Sequence, residues 1–163
     1  MDTKYIIPAN TSIGHVHLKV SDLENSLAFY CKLLGFQITT RYGTDAVFIS
    51  AGGYHHHIGL NTWFSKHGAA PAANQTGLFH TAIVYPARKD LAAIYKRILD
   101  AGYPFTGFAD HGVSEALYLN DPDKNGVELY WDKPVEMWPK NEDGSLLMYT
   151  KPLDLTNLLN ELK

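Results

Sequence analysis

Apolar and polar residues alternate from Ile13 to Val20: Val16, Leu18 and Val20 fall on one face, His15, His17 and Lys19 on the other. A period of two predicts a strand with one packed and one polar face. Ser21 then opens a helix, because Ser21 and Glu24 have the spacing of a capping box. Leu23, Leu27, Tyr30, Cys31 and Leu34 form its apolar stripe, and Gly35 ends it. Three strand-like runs follow: Phe36 to Tyr42, Ala46 to Ser50 and Tyr54 to Trp63, with Gly43 and Gly52–Gly53 at the turns. The second half repeats the order. Leu78 to Tyr85 predicts a strand, Lys89 to Ala101 a helix, and Tyr103 to Phe108, Ala116 to Asn120 and Val127 to Trp131 three more strands. Asp121 to Gly126 has the composition of a turn.

The chain divides accordingly into an N-terminal segment (1–12), a first module (13–63), a linker (64–76), a second module (77–131) and a tail (132–163), all within one domain. The expected class is α+β: two β-α-β-β-β modules forming an open, cup-like mixed sheet with helices outside. The tail ends in a short amphipathic helix with Leu155, Leu158, Leu159 and Leu162 on one side. It is expected to strap over apolar surface; an oligomer contact or a lid over a pocket is the alternative.

At 163 residues with 45% hydrophobic and 19% charged positions, the chain can bury a sizeable core. Lys plus Arg number 14 against 17 for Asp plus Glu, a net charge of −3 with no basic stripe, so nucleic acid is not an expected partner. No apolar run approaches the ~20 residues of a membrane span, and Met1 to Asn10 lacks a secretory pattern. The lone Cys31 cannot close an intramolecular disulfide, which fits the cytoplasm. Histidine changes the picture more than charge does. There are 8, and His15, His17, His55, His56 and His57 lie in two short clusters.

The two halves place four chemistry-bearing residues in matching elements. His15 and His80 lie in the first strands, His57 and Glu128 in the last. By strand parity His80 shares a face with Ala82 and Val84, and Glu128 with Tyr130, away from the apolar positions that face a helix. An internal two-fold would bring these residues together. A lone glutamate in Val127–Trp131 is costly to bury without a partner. A divalent cation held by imidazoles and this one carboxylate removes that cost and leaves open positions for a substrate or oxygen. His57 is a possible further ligand, an acid/base beside the metal, or a ring bonded into the wall. His17 is expected at the cavity or its rim, and His56 on the helix-covered or outer face.

These stretches resemble the vicinal oxygen chelate superfamily, which includes glyoxalase I, bleomycin-resistance proteins and extradiol dioxygenases. The resemblance is carried by His15 to Tyr30, Gly77-Leu-Phe-His80 and Asp121-Pro-Asp-Lys-Asn-Gly-Val-Glu128, and covers about residues 13 to 131. It implies a metal on His15, His80 and Glu128, with a glyoxalase's further ligand mapping near His57. From His111 to Glu128 the chain is similar to the catechol 2,3-dioxygenase-like branch: His111, Leu117–Tyr118, Asp121–Pro122 and Glu128 stand in the matching order. Lys124 departs from it, where that pattern prefers Gly or Pro.

The resemblance implies a metal-dependent enzyme acting on a small molecule with two adjacent oxygens, with extradiol ring cleavage first. Tyr118 would orient or deprotonate a catechol, and His111 would hold an oxygen. Fe(II) or Mn(II) is the expected metal. A glyoxalase-type lyase would use Zn(II) or Ni(II), and a drug-sequestering binding protein would use the cup without chemistry. A homodimer is expected from the resemblance and the apolar tail.

Overall fold

The computed structural model describes residues 4–163, so the expected N-terminal segment is seen from Lys4 onward and residues 1–3 lie outside the described part. The first module runs β1 (Val16–Lys19), α1 (Leu23–Leu27), a wider helical turn (Ala28–Leu33), β2 (Gln37–Tyr42), β3 (Ala46–Ser50) and β4 (Ile58–Asn61). The second runs β5 (His80–Val84), α2 (Arg88–Asp100), β6 (Phe105–Asp110), β7 (Ser114–Asn120) and β8 (Gly126–Asp132). Each module makes one four-stranded sheet, ordered β1-β4-β3-β2 and β5-β8-β7-β6. The first and last strands of each are parallel and the other pairs antiparallel, so both sheets are mixed.

Strand alternation sorts the faces. Val47, Ile49, Ile58 and Leu60 in one sheet, and Leu117, Leu119, Val127 and Leu129 in the other, are buried under the helices. Leu91, Ile94, Tyr95 and Ile98 of α2 meet the second sheet in one continuous core. The opposite faces carry the polar side chains. Among the described residues no helix is long and apolar enough to cross a membrane.

Helix α1 is capped one residue later than its Ser21–Glu24 spacing suggests. The N-cap is Asp22, whose carboxylate accepts from Asn25 N–H at 2.8 Å. Ser21 faces the other module instead, its N–H donating to Asp123 Oδ2 at 3.0 Å. After α1 the helix widens, and Leu34 N–H donates five residues back to Phe29 C=O at 3.0 Å. This turn presents Phe29 to Tyr103 and Tyr30 to Asp121 across the module boundary.

Asp121 organises the turn into β8. It is 1% exposed and accepts from Asp123 N–H, Asn125 N–H, the Asn125 side-chain amide and Tyr30 Oη. Burial raises the Tyr30 phenol far above its usual range, and the charge of Asp121 adds to this, so Tyr30 donates at any physiological pH. Tyr30→Phe leaves a buried carboxylate one donor short. Its cost is expected at about 1–3 kcal/mol, read as a lowered urea midpoint at unchanged m. Lys124 in this turn has φ +68, the left-handed region that glycine adopts without penalty.

The tail behaves as a strap. Helix α3 (Leu155–Asn160) buries Leu158 completely, and Arg88 of α2 is bonded both to Glu115 of β7 (2.7 Å) and to Glu161 just past α3 (2.8 Å).

Candidate active site

The polar face of the second sheet is set by register. In the β5–β8 ladder Ala82 lies opposite Glu128 and His80 opposite Gly126, and in the β7–β8 ladder Tyr118 lies opposite Glu128. His80, Glu128 and Tyr118 therefore rise from one face of adjacent strands. Gly126 makes this possible, since a Cβ there would lie 2.1 Å from the Phe79 carbonyl oxygen and 3.0 Å from His80 Cβ.

The side chains form a connected chain. His80 Nε2 is 3.0 Å from Glu128 Oε2. Tyr118 Oη donates to Glu128 Oε1 at 2.9 Å and is 2.7 Å from His111 Nε2. Glu128 is largely enclosed, its side chain 13% exposed, against 31% for His80. Burial, with the hydrogen bond and charge of Glu128, raises the Tyr118 phenol well above its usual range. In this geometry the Tyr118 hydroxyl is a hydrogen-bond donor to Glu128.

The first sheet lacks the equivalent set. Its parallel ladder ends on Lys19–Asn61 and the second on Val84–Tyr130, each closed by the N–H of the following residue, Val20 or Tyr85. Counting back along both ladders, His15 matches His80 and His17 matches Ala82. Gly59, not His57, matches Glu128, and Phe48 matches Tyr118. The carboxylate position is therefore bare backbone, and the His17 ring fills its space: a Cβ on Gly59 would lie 2.9 Å from that ring.

His57 precedes β4 rather than lying in it, because residues 51–57 turn before the ladder begins at Ile58. Its Nδ1 accepts from Ala51 N–H at 3.3 Å and lies 2.9 Å from Ser50 Oγ, which bonds the ring into the wall of the turn. The same bend overturns the outer-face expectation for His56, since alternation does not extend through it. The His56 ring rests on Phe48 and His15, at centroid distances of 4.8 and 4.4 Å, on the open face. His17 lies on that face as well, against Phe48 and Trp63. Crowding among these rings is chemical as well as steric. Burial and then the neighbouring imidazoles push His56 below the ordinary histidine range.

His15 is exposed and packs on His56, and the structure does not bring it to the His80–Glu128 pair. Among the described residues no three His, Cys, Asp or Glu side chains group closely enough to hold a metal ion. The His80–Glu128 pair has suitable spacing for two of an ion's donors. Two donors about 2.1 Å from one divalent ion and at right angles to each other stand about 3.0 Å apart, and imidazole with carboxylate suits such ions.

Residues that periodicity did not mark also reach the site. His111 Nδ1 lies 3.1 Å from the Tyr149 carbonyl oxygen and 3.3 Å from Thr150 Oγ1, both in the tail. A separate groove of about 650 Å³ runs between β1, the linker and the 121–126 turn, lined in part by His17, Lys19, Phe64 and Asp123.

Comparison with known proteins adds to this geometry. Residues 12–129 match the Glyoxalase/Bleomycin resistance protein/Dioxygenase superfamily. The chain is 39% identical over 155 residues to a catechol-2,3-dioxygenase of Bacillus subtilis (strain 168), covering 95% of this chain and 53% of that protein. It is 31% identical over 123 residues to biphenyl-2,3-diol 1,2-dioxygenase 3 of Rhodococcus globerulus, covering 74% and 63%. The chain thus spans between half and two thirds of these relatives. Among solved structures, a glyoxalase/dioxygenase from Nostoc punctiforme superposes with TM-score 0.63 at 18% identity, covering 81% of this chain and 99% of the other. A lactoylglutathione lyase from Agrobacterium tumefaciens superposes with TM-score 0.60 at 19% identity, covering 76% and 96%.

Proposed function

We propose that this chain, which belongs to the Glyoxalase/Bleomycin resistance protein/Dioxygenase superfamily, carries a metal-dependent extradiol ring-cleavage centre on the open face of its second module. Supporting this are the names of the relatives at 31–39% identity and, above all, the Tyr118 hydroxyl placed between Glu128 and His111. The substrate class is a small catechol-like molecule with two adjacent oxygens. Dioxygen is the co-substrate, both its atoms enter the product, and the ring carbon–carbon bond beside the diol breaks.

His80 and Glu128 would hold the divalent ion, with Fe(II) or Mn(II) favoured. The donor pair fits an ion in part: a third protein donor, proposed to be His15, is not at the pair. Bound there, the ion supplies Lewis-acid charge toward the two substrate oxygens. The remaining work falls to the chain. Tyr118 keeps its proton and can turn it from Glu128 to a substrate oxygen. His111 Nε2 approaches the same hydroxyl from the other side. Together they stabilise negative charge developing on oxygen in a partly enclosed site. Tyr118→Phe is expected to lower kcat about 10²-fold while metal affinity changes less than 2-fold. Unchanged kcat would assign Tyr118 to packing.

A glyoxalase-type lyase is the second reading, but its fuller ligand set has no counterpart where Gly59 stands. A homodimer completing the cup is proposed as well, on the strength of exposed Ile13, Phe64 and Phe79; light scattering at twice the 18.2 kDa chain mass would support it. A cytoplasmic setting is consistent with the free Cys31.

The test is anaerobic loading with Fe(II), then oxygen uptake with catechol. One oxygen consumed per ring-opened product supports the proposal. Zn(II)- or Ni(II)-dependent hemithioacetal turnover instead would favour the lyase. Catechol binding without turnover under any metal would favour the binding protein.

A further inference from the structure

We propose that the tail residues Tyr149–Lys151 are a positioning element for His111, fixing its ring so that the Nε2 proton is directed at Tyr118. The inference rests on the ring-cleavage reading for its kinetic consequence but not for its structural one.

Tyr118 has one phenolic proton, and it is donated to Glu128 Oε1. The 2.7 Å contact between Tyr118 Oη and His111 Nε2 therefore needs its proton from the ring. A ring proton on Nε2 leaves Nδ1 to be satisfied by the tail. Two groups meet it there: the Thr150 hydroxyl at 3.3 Å, which can donate to a bare Nδ1, and the Tyr149 carbonyl at 3.1 Å, which accepts from a protonated one. The tail thus holds Nδ1 from two sides, and because the Tyr118 proton is spent on Glu128, it is Nε2–H that faces Tyr118. A ring that loses the Thr150 donor keeps only the carbonyl acceptor at Nδ1, which favours Nδ1–H and removes the donor from the site, and a ring without the tail is free to turn away from Tyr118.

The tail is held where this requires. Asp110 and Lys151 exchange backbone hydrogen bonds of 2.8 and 2.9 Å, adding a one-residue bridge to the edge of β6. Tyr149 N–H donates to the His111 carbonyl at 3.3 Å. The turn carrying His111 is fixed from beneath: the Asp110 carboxylate accepts from Gly112 N–H at 2.8 Å and from Lys133 Nζ at 2.7 Å. Gly112 has φ +81, and a Cβ there would come within 2.9 Å of both the Tyr149 ring and Pro139. Only backbone fits between the turn and the tail. The two segments are 38 residues apart in sequence, and the tail joins the edge of β6 only through the Asp110–Lys151 bridge.

The test compares Thr150→Val, Thr150→Ser and Tyr149→Ala in the full chain. Thr150 is exposed and Tyr149 half-exposed, so all three should fold, as circular dichroism would verify. Removing the Thr150 hydroxyl is expected to lower kcat about 2- to 10-fold with KM unchanged, and serine should restore it. Freeing the tail with Tyr149→Ala should match or exceed that loss. Nitrogen-15 spectra of the His111 ring supply a readout without turnover. They should give a protonated Nε2 in the unsubstituted protein and a growing Nδ1–H population in Thr150→Val. A bare Nε2 in the unsubstituted protein would overturn the proposal. So would variants whose kcat and ring spectra both match the parent. An inactive parent with a protonated Nε2 would instead count against ring cleavage and leave the tail's role supported.

Discussion

Gly126→Ala should cripple both stability and metal binding. The added Cβ falls 2.1 Å from the Phe79 carbonyl oxygen, and that obstacle is backbone. Strand β5 can relieve the clash only by leaving β8 at the His80–Gly126 rung, which breaks the ladder where the site begins. The expected cost is about 1–3 kcal/mol, the range for forcing extra carbon into closely packed structure. It should appear as a lower urea midpoint. The displacement also pulls His80 from the 3.0 Å spacing it keeps with Glu128, so divalent-ion affinity should fall even in the folded fraction. Gly59→Ala is the control. Its Cβ meets only the His17 ring, at 2.9 Å, and a side chain can swing away. An equal loss at both positions would contradict this account of Gly126.

Glu128→Gln is expected to have the largest effect on chemistry with little effect on the fold. Glutamine keeps the shape and can still accept from Tyr118, so the β7–β8 ladder should be undisturbed. The charge is lost, and with it the anionic donor beside His80. Changes to groups that merely support ligands typically cost 10- to 100-fold. Loss of a proposed ligand should exceed this, with Mn(II) affinity falling at least about 10²-fold and ring cleavage becoming undetectable. Equilibrium dialysis with Mn(II) reads the first and oxygen uptake the second. Retained stoichiometric Mn(II) would remove Glu128 from the metal site.

How far the sequence could be followed depended on which force set each position. Alternation along His80–Val84 and Val127–Trp131 reflects burial of one face under α2, a strong and local constraint, so the shared face of His80 and Glu128 could be inferred from period alone. The same reasoning failed at His56, whereas His57 took one of the three roles its position allowed, a ring bonded into the wall. Residues 51–57 bend before β4 starts, and alternation has no meaning through a bend. Matching His57 to Glu128 by element order also missed the register, which the ladder ends assign to Gly59. The helix cap is Asp22 rather than Ser21, and the Ser21 N–H instead donates to Asp123, 102 residues away. No local spacing encodes such a contact. The tail's grip on His111 was hidden for the same reason. It uses a backbone carbonyl and one exposed threonine, and neither leaves a pattern. Gly126 was visible only as a turn residue, although its close approach to Phe79 is what lets the pair form.

The most direct test is a crystal of the full chain soaked with Mn(II) and measured on both sides of the manganese absorption edge. An anomalous peak is expected within bonding distance of both His80 Nε2 and Glu128 Oε2, on the side facing Tyr118. A peak among His15, His55 and His56 on the first module, with none between His80 and Glu128, would contradict it.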